Sequence, residues 1–463
     1  MRIEPKGTQQ EVLALEPRGH IVVLGAAGSG KTTMALLLAE KLSNLPHEPK
    51  VLVVTFNRAL VAYMEAIQSF KKGVVVENFH HFCLGYLKSQ GKKTDYVIIP
   101  ENAKDNMVNE IVEEKRREYP KESTFLRPVN TFIEEILFLE RFGVNSLAQY
   151  KDMERIGRAD TFISRENRHW FYEVYELYKQ KRLEKGYLYD WDDLAISVYN
   201  ELLMDENERR YTHIIVDEGQ DFSPMMLKVL IAAVPPAGSF TFFGDIAQQI
   251  YGTALSWKAS GIDTKKIWRF ENNYRNPVEI AQFAQDILKH PKWEQKGDEY
   301  VASKIECPAA GIKPILIKYS NNQNEIVEIA KLLKRRGGRN VIVVKNRQLV
   351  GEFLCELQKN NILAKEIKKE YDSCIGDGVY VTTFYSVKGL EFDNVFIPFL
   401  NKEDYPDKKR LEDSENKDKV CSNALKLLYV AVTRATQSVV MSYSSALTEL
   451  FPKDSQNYIN RGI

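Results

Sequence analysis

One segment limits the possible folds more than any other. Gly25-Ala26-Ala27-Gly28-Ser29-Gly30-Lys31-Thr32, followed by Thr33, comes directly after a short apolar run at 21–24 and directly before a helix-forming stretch. A glycine-rich turn between a strand and a helix lets backbone N–H groups curl around phosphates, and the helix N-terminus favours negative charge. The pattern is GxxxxGKT, and the strand–loop–helix setting is the one it requires. In such a loop Lys31 reaches the β- and γ-phosphates of ATP and Thr32 ligates Mg²⁺. A chain with this element is an α/β protein built around a parallel sheet.

The remaining apolar runs agree with that class. Short β-branched segments at 51–55, 74–76, 214–216, 240–243, 341–344, 379–382 and 395–397 alternate with helical stretches. Continuous apolar strands of this kind belong to parallel sheets covered by helices on both faces. The run 214–216 ends in Asp217-Glu218. An acidic pair at such a strand end lies beside a P-loop, where Asp217 can hold Mg²⁺ through water and Glu218 can polarise the attacking water. Between about 96 and 188 the chain is charged, aromatic and helical instead, which reads as an insertion within the first α/β unit. The expected division is 1–95 and 189–270 for the first domain, 96–188 for the helical insertion and 271–463 for the second domain. The charged run 401–420 reads as a mobile solvated loop. The segment around 326–336 reads as an amphipathic helix whose lysines and arginines face solvent.

Composition excludes little else. Lys plus Arg number 64 against 63 Asp plus Glu, so any nucleic-acid surface has to be gathered locally. The five cysteines, Cys83, Cys307, Cys355, Cys374 and Cys421, never stand in CxxC spacing, which argues against a zinc or iron–sulfur site and for reduced thiols in a cytoplasmic protein. The N-terminus lacks a signal-peptide pattern, and no stretch has the apolar length that spans a bilayer, so no membrane partner is expected.

The P-loop and acid pair define a nucleotide hydrolase without saying which. Their surroundings are more specific. Asp217-Glu218-Gly219-Gln220-Asp221 resembles the DExQD of UvrD/Rep-like superfamily I DNA helicases. Further segments resemble that family in its order: Gln10 its Q motif; Thr55-Phe56-Asn57 and Asn78-Phe79-His80 motifs Ia and Ib; Asp190-Trp191-Asp192-Asp193-Leu194 a DFDDL segment; Gly244-Asp245, Gln248 and Ile250-Tyr251-Gly252 motif III; Asn273-Tyr274-Arg275 motif IV; 386–392 motif V; 429–435 motif VI. The resemblance implies two RecA-like domains, with ATP and Mg²⁺ between them and single-stranded DNA as the track. It implies that Gln10 reads adenine, Tyr274 stacks on it, and Gly389 and Glu391 lie at the nucleotide, with Glu391 on the ribose. Gln248 would sense the γ-phosphate, and Arg275 and Arg434 would act on it as arginine fingers. Thr55, Phe56, Asn57, His80, Trp257 and Tyr385 would meet the strand, with 3′ to 5′ movement. The chain departs from the family where Trp257 is displaced from Tyr251, where Tyr385 replaces a usual histidine, and where only a short stretch separates Arg275 from Ser386, too little for the family's second insertion. An ATPase subunit that senses DNA for a nuclease or repair partner is the alternative of a different class. An NTPase acting on a small molecule would leave motifs IV and VI unexplained.

Overall fold

The computed structural model describes residues 4–56, 61, 73–155, 161–249, 257–293, 301, 304–305, 311–334, 336–367, 376–414 and 416–462. Asn57, most of the stretch expected as helix up to Phe70, the segment 250–252, Cys307 and Cys374 lie outside the described residues.

Six parallel strands form the first sheet: β1 Gly19–Gly25, β2 Val51–Thr55, β3 Val74–Asn78, β4 His213–Val216, β5 Ser239–Gly244 and β6 Ile267–Phe270, in the order β3-β2-β4-β5-β1-β6. The apolar runs are continuous because both faces are covered. Val22, Leu24, Leu52, Val54, Ile214 and Val216 point into one core, and Val23, Val51, Val53 and Ile215 into the other. The order sets the site. The end of β5 lies between the ends of β1 and β4, so the residues after these three strands become neighbours.

The second sheet has seven parallel strands: β9 Ile315–Lys318, β10 Arg339–Val344, β11 Ala364–Glu366, β12 Gly378–Thr383, β13 Phe392–Ile397, β14 Ala435–Tyr443 and β15 Ile459–Gly462, in the order β11-β12-β10-β13-β14-β9-β15. Two short strands, β7 Asn272–Asn273 and β8 Lys304–Ile305, pair with each other between the sheets. The eight apolar runs read from the sequence all fall on strands, in two parallel sheets with helices, as the fold class requires. Strand β14 escaped that reading because its polar residues are satisfied inside: Ser438 Oγ donates to Asn394 Oδ1 at 2.6 Å, and Ser442 Oγ to Glu325 Oε1 at 2.5 Å.

After the helix Phe79–Ser89 the chain leaves the first sheet. It forms helices Glu101–Glu118, Val129–Phe142, Leu147–Asp152 and Arg168–Glu184 around a separate core rich in aromatic rings. The two ends of this segment zip together, with Leu188 N donating to Val97 O at 2.8 Å and Ile99 N to Tyr189 O at 3.0 Å. A buried ion cluster fixes the return. Lys104 Nζ donates to Glu140 Oε2 at 2.7 Å and Asp190 Oδ2 at 2.8 Å, while Arg182 pairs with Asp193 at 2.6 Å. Glu140, Asp190 and Asp192 place one oxygen each within 4.8 Å of one another, but Lys104 and Arg141 supply the positive charge there. Burial, then the charge of Asp190, holds the Glu140 carboxyl well above the usual range. Removing the ammonium takes the cation from Glu140 and leaves Asp190 with Arg182 at 3.4 Å. Lys104→Met is therefore expected to destabilise the chain by about 3 kcal/mol, read as a lower urea midpoint with an unchanged slope. An unmoved midpoint would mean the cluster carries no stability.

The charged run 401–420 is not a loop. It contains the helix Lys408–Asp413 and the start of the helix Lys417–Val432. Tyr405, 5% exposed, anchors it: the ring packs beside Phe384, and its hydroxyl donates to Ala424 O at 2.6 Å. A buried aromatic in an otherwise charged run outweighs the solvated character of its neighbours. The helix expected near 326–336 is present as Asn322–Leu333, with Ile326, Ile329 and Leu333 buried. Among the described residues no helix is long and apolar enough to cross a membrane.

Candidate functional site

Strand β1 delivers the loop Gly25-Ala26-Ala27-Gly28-Ser29-Gly30, and the helix Lys31–Ser43 starts directly on Gly30, whose φ is 80°. Gly28 has φ +71° and no room for a side chain: a Cβ there would lie 2.2 Å from Asn273 Oδ1 and 2.8 Å from the Arg275 Cβ. Its carbonyl accepts from Tyr274 N at 3.0 Å. Asn273, Tyr274 and Arg275 therefore pack directly on the phosphate loop. Lys31 is buried; its Nζ donates to Gly25 O and Ala26 O, both at 2.9 Å, and lies 3.7 Å from Asp245. Thr33 follows on the first turn, half-buried. The glutamine at the loop is Gln9, whose Nε2 donates to Ser29 O at 3.0 Å. Gln10, the residue expected there, points to solvent one helical step away. That is a correction of one position.

The acids stand at the end of β4. Thr32 Oγ1 donates to Asp217 Oδ2 at 2.7 Å. Asp217 is fully buried, and its Oδ1 has no hydrogen-bond partner among the described residues. Burial, then the charge of Glu218, pushes its carboxyl up to about 7. An unsatisfied buried carboxylate oxygen beside a threonine hydroxyl is the donor set a divalent cation needs, so Thr32 and Asp217 fit Mg²⁺. Glu218 has φ 53°, an uncommon backbone for a residue with a side chain, and the strain fits a positioned catalytic group. Burial raises its carboxyl, but Lys388, Lys31 and Arg434 together outweigh this and hold it below the usual range. The next residue has to be glycine, because a Cβ on Gly219 would meet the Phe242 ring at 2.3 Å.

Both α/β units contribute here. Gln248, after β5, donates from Nε2 to Asp245 Oδ2 at 2.7 Å and accepts on Oε1 from Arg434 Nη2 at 2.6 Å. Lys388, from the turn after β12, donates to both oxygens of Asp221, at 2.7 and 2.6 Å, and to Gln248 O at 2.7 Å. Arg434 is 2% exposed. Burial, then the charge of Arg275, lowers its guanidinium to about 10, so it stays a cation at neutral pH. Arg275 is ion-paired with Glu391. Asn276 ties the segment of Arg275 to that of Arg434, donating to Thr433 O at 3.0 Å and Ala435 O at 2.8 Å. Lys388 and Asp221 were not singled out from sequence, although both lie inside quoted motifs.

A cleft of about 1080 Å³ runs from Glu218 and Asp221 between the first sheet, the helical segment and the second sheet. Phe56, His80 and Tyr385, the residues expected to meet a strand, line it, and so does Gly389, which was expected at the nucleotide. The ring of His80 meets Trp191 edge-on at 5.0 Å and Phe56 at 5.7 Å, giving a continuous aromatic wall. Trp191, 38% exposed, was quoted in a motif but not expected on this surface. Its neighbours hold it rigid: Asp190 binds Lys104, and Asp192 accepts from Arg141 Nε at 2.8 Å. Two other residues expected to meet a strand do not line this cleft. Thr55 is 0% exposed as the last residue of β2, and its hydroxyl is buried. Trp257 does not line the cleft; its ring stands perpendicular on Phe242 at 5.2 Å and packs against the core of the first sheet.

Comparison with known proteins gives matches over most of the chain. Residues 6–275 match the family model described as the UvrD/REP helicase N-terminal domain, and residues 338–446 the UvrD-like helicase C-terminal domain. YjcD of Bacillus subtilis, assigned as an ATP-dependent DNA helicase, is 26% identical over 351 residues, 71% of this chain and 44% of that protein. DNA helicase II of Haemophilus influenzae is 24% identical over 309 residues, 59% and 38% respectively. The ATP-dependent DNA helicase srs2 of Schizosaccharomyces pombe is 24% identical over 356 residues, 71% and 39%. The chain thus spans less than half the length of these relatives.

Proposed function

The chain belongs to the UvrD/REP helicase family, and on that premise we propose that it hydrolyses ATP to move along single-stranded DNA, 3′ to 5′. The observation that carries this reading is the meeting at Gln248. One glutamine holds Asp245 from the first α/β unit and Arg434 from the second, next to Lys31. Groups that serve one phosphoryl transfer are thus divided between two bodies, and turnover depends on how those bodies approach.

In this reading the backbone N–H groups of 26–30 and the Lys31 ammonium take the phosphates of ATP. Thr32 and Asp217 would hold Mg²⁺, which would supply positive charge to the phosphates. Glu218 accepts a proton from the attacking water, and its buried carboxylate is kept ionised by the cations around it. Arg434 and Arg275 meet charge that develops on the γ-phosphoryl group. Gln9 and Tyr274, both at the phosphate loop, bind the adenosine end. The aromatic wall of Phe56, His80 and Trp191 stacks on bases, which is tolerant of sequence because every base has a π-face.

Lys388 links the two activities. It lines the cleft and is bound to Asp221, four residues after Asp217. A change in the gap between the units therefore alters the cleft wall and the acid pair together.

The test is ATP hydrolysis by the purified chain, alone and with single-stranded DNA, duplex DNA or single-stranded RNA. Strong stimulation by single-stranded DNA is expected. Equal rates in all four conditions would remove the strand from the reaction.

A further inference from the structure

We propose that Arg410, which lies in no motif, is the cation that binds the phosphate backbone of the strand in the cleft, aimed by the hydroxyl of Tyr385. The inference rests on the cleft being the single-stranded DNA track.

The charge balance of the cleft walls points to this residue. The other cations on those walls are committed. Lys104 is bound to Glu140 and Asp190, Arg141 to Asp192, Lys345 to Asp404 at 2.6 Å, and Lys388 to Asp221. Arg410 is exposed and lines the same cleft, and among the described residues no carboxylate pairs with it. One of its guanidinium nitrogens donates to the Tyr385 hydroxyl, and the group lies 5.4 Å from the centre of that ring. A guanidinium has five N–H donors in a planar fork that matches a phosphate, so one bond to a phenol leaves most of the fork available.

The opposite wall favours the same placement. The helical segment presents Glu101, Asp105 and Glu134 to the cleft, whereas on the wall of Arg410 the lining acids are Asp404, paired with Lys345, and Asp407, whose Oδ1 caps the helix of Arg410. A phosphate backbone is repelled from the helical side and drawn to the wall that carries Arg410. The bases then face Phe56, His80 and Trp191. The Tyr385 phenol brings no charge of its own, and Arg410 supplies a cation beside it from the helix Lys408–Asp413, held at its start by Asp407 Oδ1 accepting from Arg410 N at 3.1 Å.

The test is binding of fluorescein-labelled oligothymidylate to the full chain, followed by anisotropy across a salt series. Compared are the unmodified chain, Arg410→Gln, Arg410→Lys, Tyr385→Phe and the double variant Tyr385→Phe/Arg410→Gln. Loss of one phosphate contact lowers the slope of log K against log salt by about 0.7. Arg410→Gln is expected to show that drop and to bind roughly tenfold more weakly. Arg410→Lys is expected to keep the slope but recover only part of the affinity. Tyr385→Phe is expected to weaken binding in the unmodified chain and to add nothing in the Arg410→Gln background. An oligonucleotide that binds with unchanged affinity and slope in Arg410→Gln overturns the role of Arg410 and leaves the track in place. An unmodified chain that binds no oligothymidylate overturns the track, and this inference with it.

Discussion

Arg434→Ala is expected to lower ATP turnover by about 10³-fold or more, the range seen when an arginine finger is withdrawn, while the dissociation constant for ATP changes little. The environment of the guanidinium is the reason. Arg434 sits 2% exposed, bonded through Nε to Val430 O at 3.1 Å and through Nη2 to Gln248 Oε1 at 2.6 Å. These acceptors are neutral, as is Thr433 Oγ1 at 3.5 Å from Nη2. A full charge buried against neutral oxygens is costly, and the low-lying guanidinium records that cost. Glu218 and Glu391 offset part of it at a distance. Such a group gives most when negative charge appears next to it, as on a γ-phosphoryl group in its transition state. Turnover falls because the loss is confined to that state. Binding is expected to be spared because the proposed seat of the ground-state phosphates is on the opposite unit, at the loop and Lys31. Measured kcat and an independent ATP titration separate the two effects. An Arg434→Ala chain with normal kcat would mean that the second unit does not complete the site. Arg434→Lys controls for folding, since it keeps the charge and loses only the fork.

What could be read from sequence, and what could not, follows from how local each signal is. The phosphate loop is a backbone device: Gly28 and Gly30 at positive φ, followed by a helix, act through neighbours in the chain. Asp217 and Glu218 follow because a strand end fixes where they point, and Thr32 because it stands in the first turn of the helix after the loop. The direction of a side chain on a helix or a strand is a tertiary fact. Gln9 and Gln10 are equivalent in sequence, and only the docking of their helix makes Gln9 the inward one. Thr55 and Phe56 are adjacent, yet alternation at the end of β2 buries the first and leaves the second on the cleft. Trp257 lies off the cleft and Trp191 on it for a similar reason. The first packs on Phe242, whereas the second is pinned outward by ion pairs that reach across the helical segment, 86 positions back in the chain for Lys104. Arg410 was hidden in a charged run, since composition cannot tell a solvated arginine from one stacked on Tyr385.

The second large effect concerns chemistry with the fold left intact. Glu218→Gln is expected to bind ATP normally and to hydrolyse it about 10²–10⁴-fold more slowly, the span of a lost general base. The substitution keeps size and shape, so the strained backbone at φ 53° need not change. What it removes is a carboxylate that three cations keep ionised inside the protein. Gln220 makes the comparison informative. Its amide nitrogen donates to Glu218 Oε2 and its amide oxygen accepts from Asp245 N at 2.8 Å, so its orientation is set and cannot flip to suit a new neighbour. The side chain at 218 therefore has to present an acceptor to Gln220, and a glutamine can do so with its own amide oxygen. That leaves the NH₂ group toward the space where water would be activated, and an amide there cannot take a proton. A single-turnover experiment reads this directly, with ATP bound in full and its γ-phosphate released slowly. Release at the unmodified rate would assign the base to another group, and Asp221, held by Lys388 on the same loop, would be the first to replace.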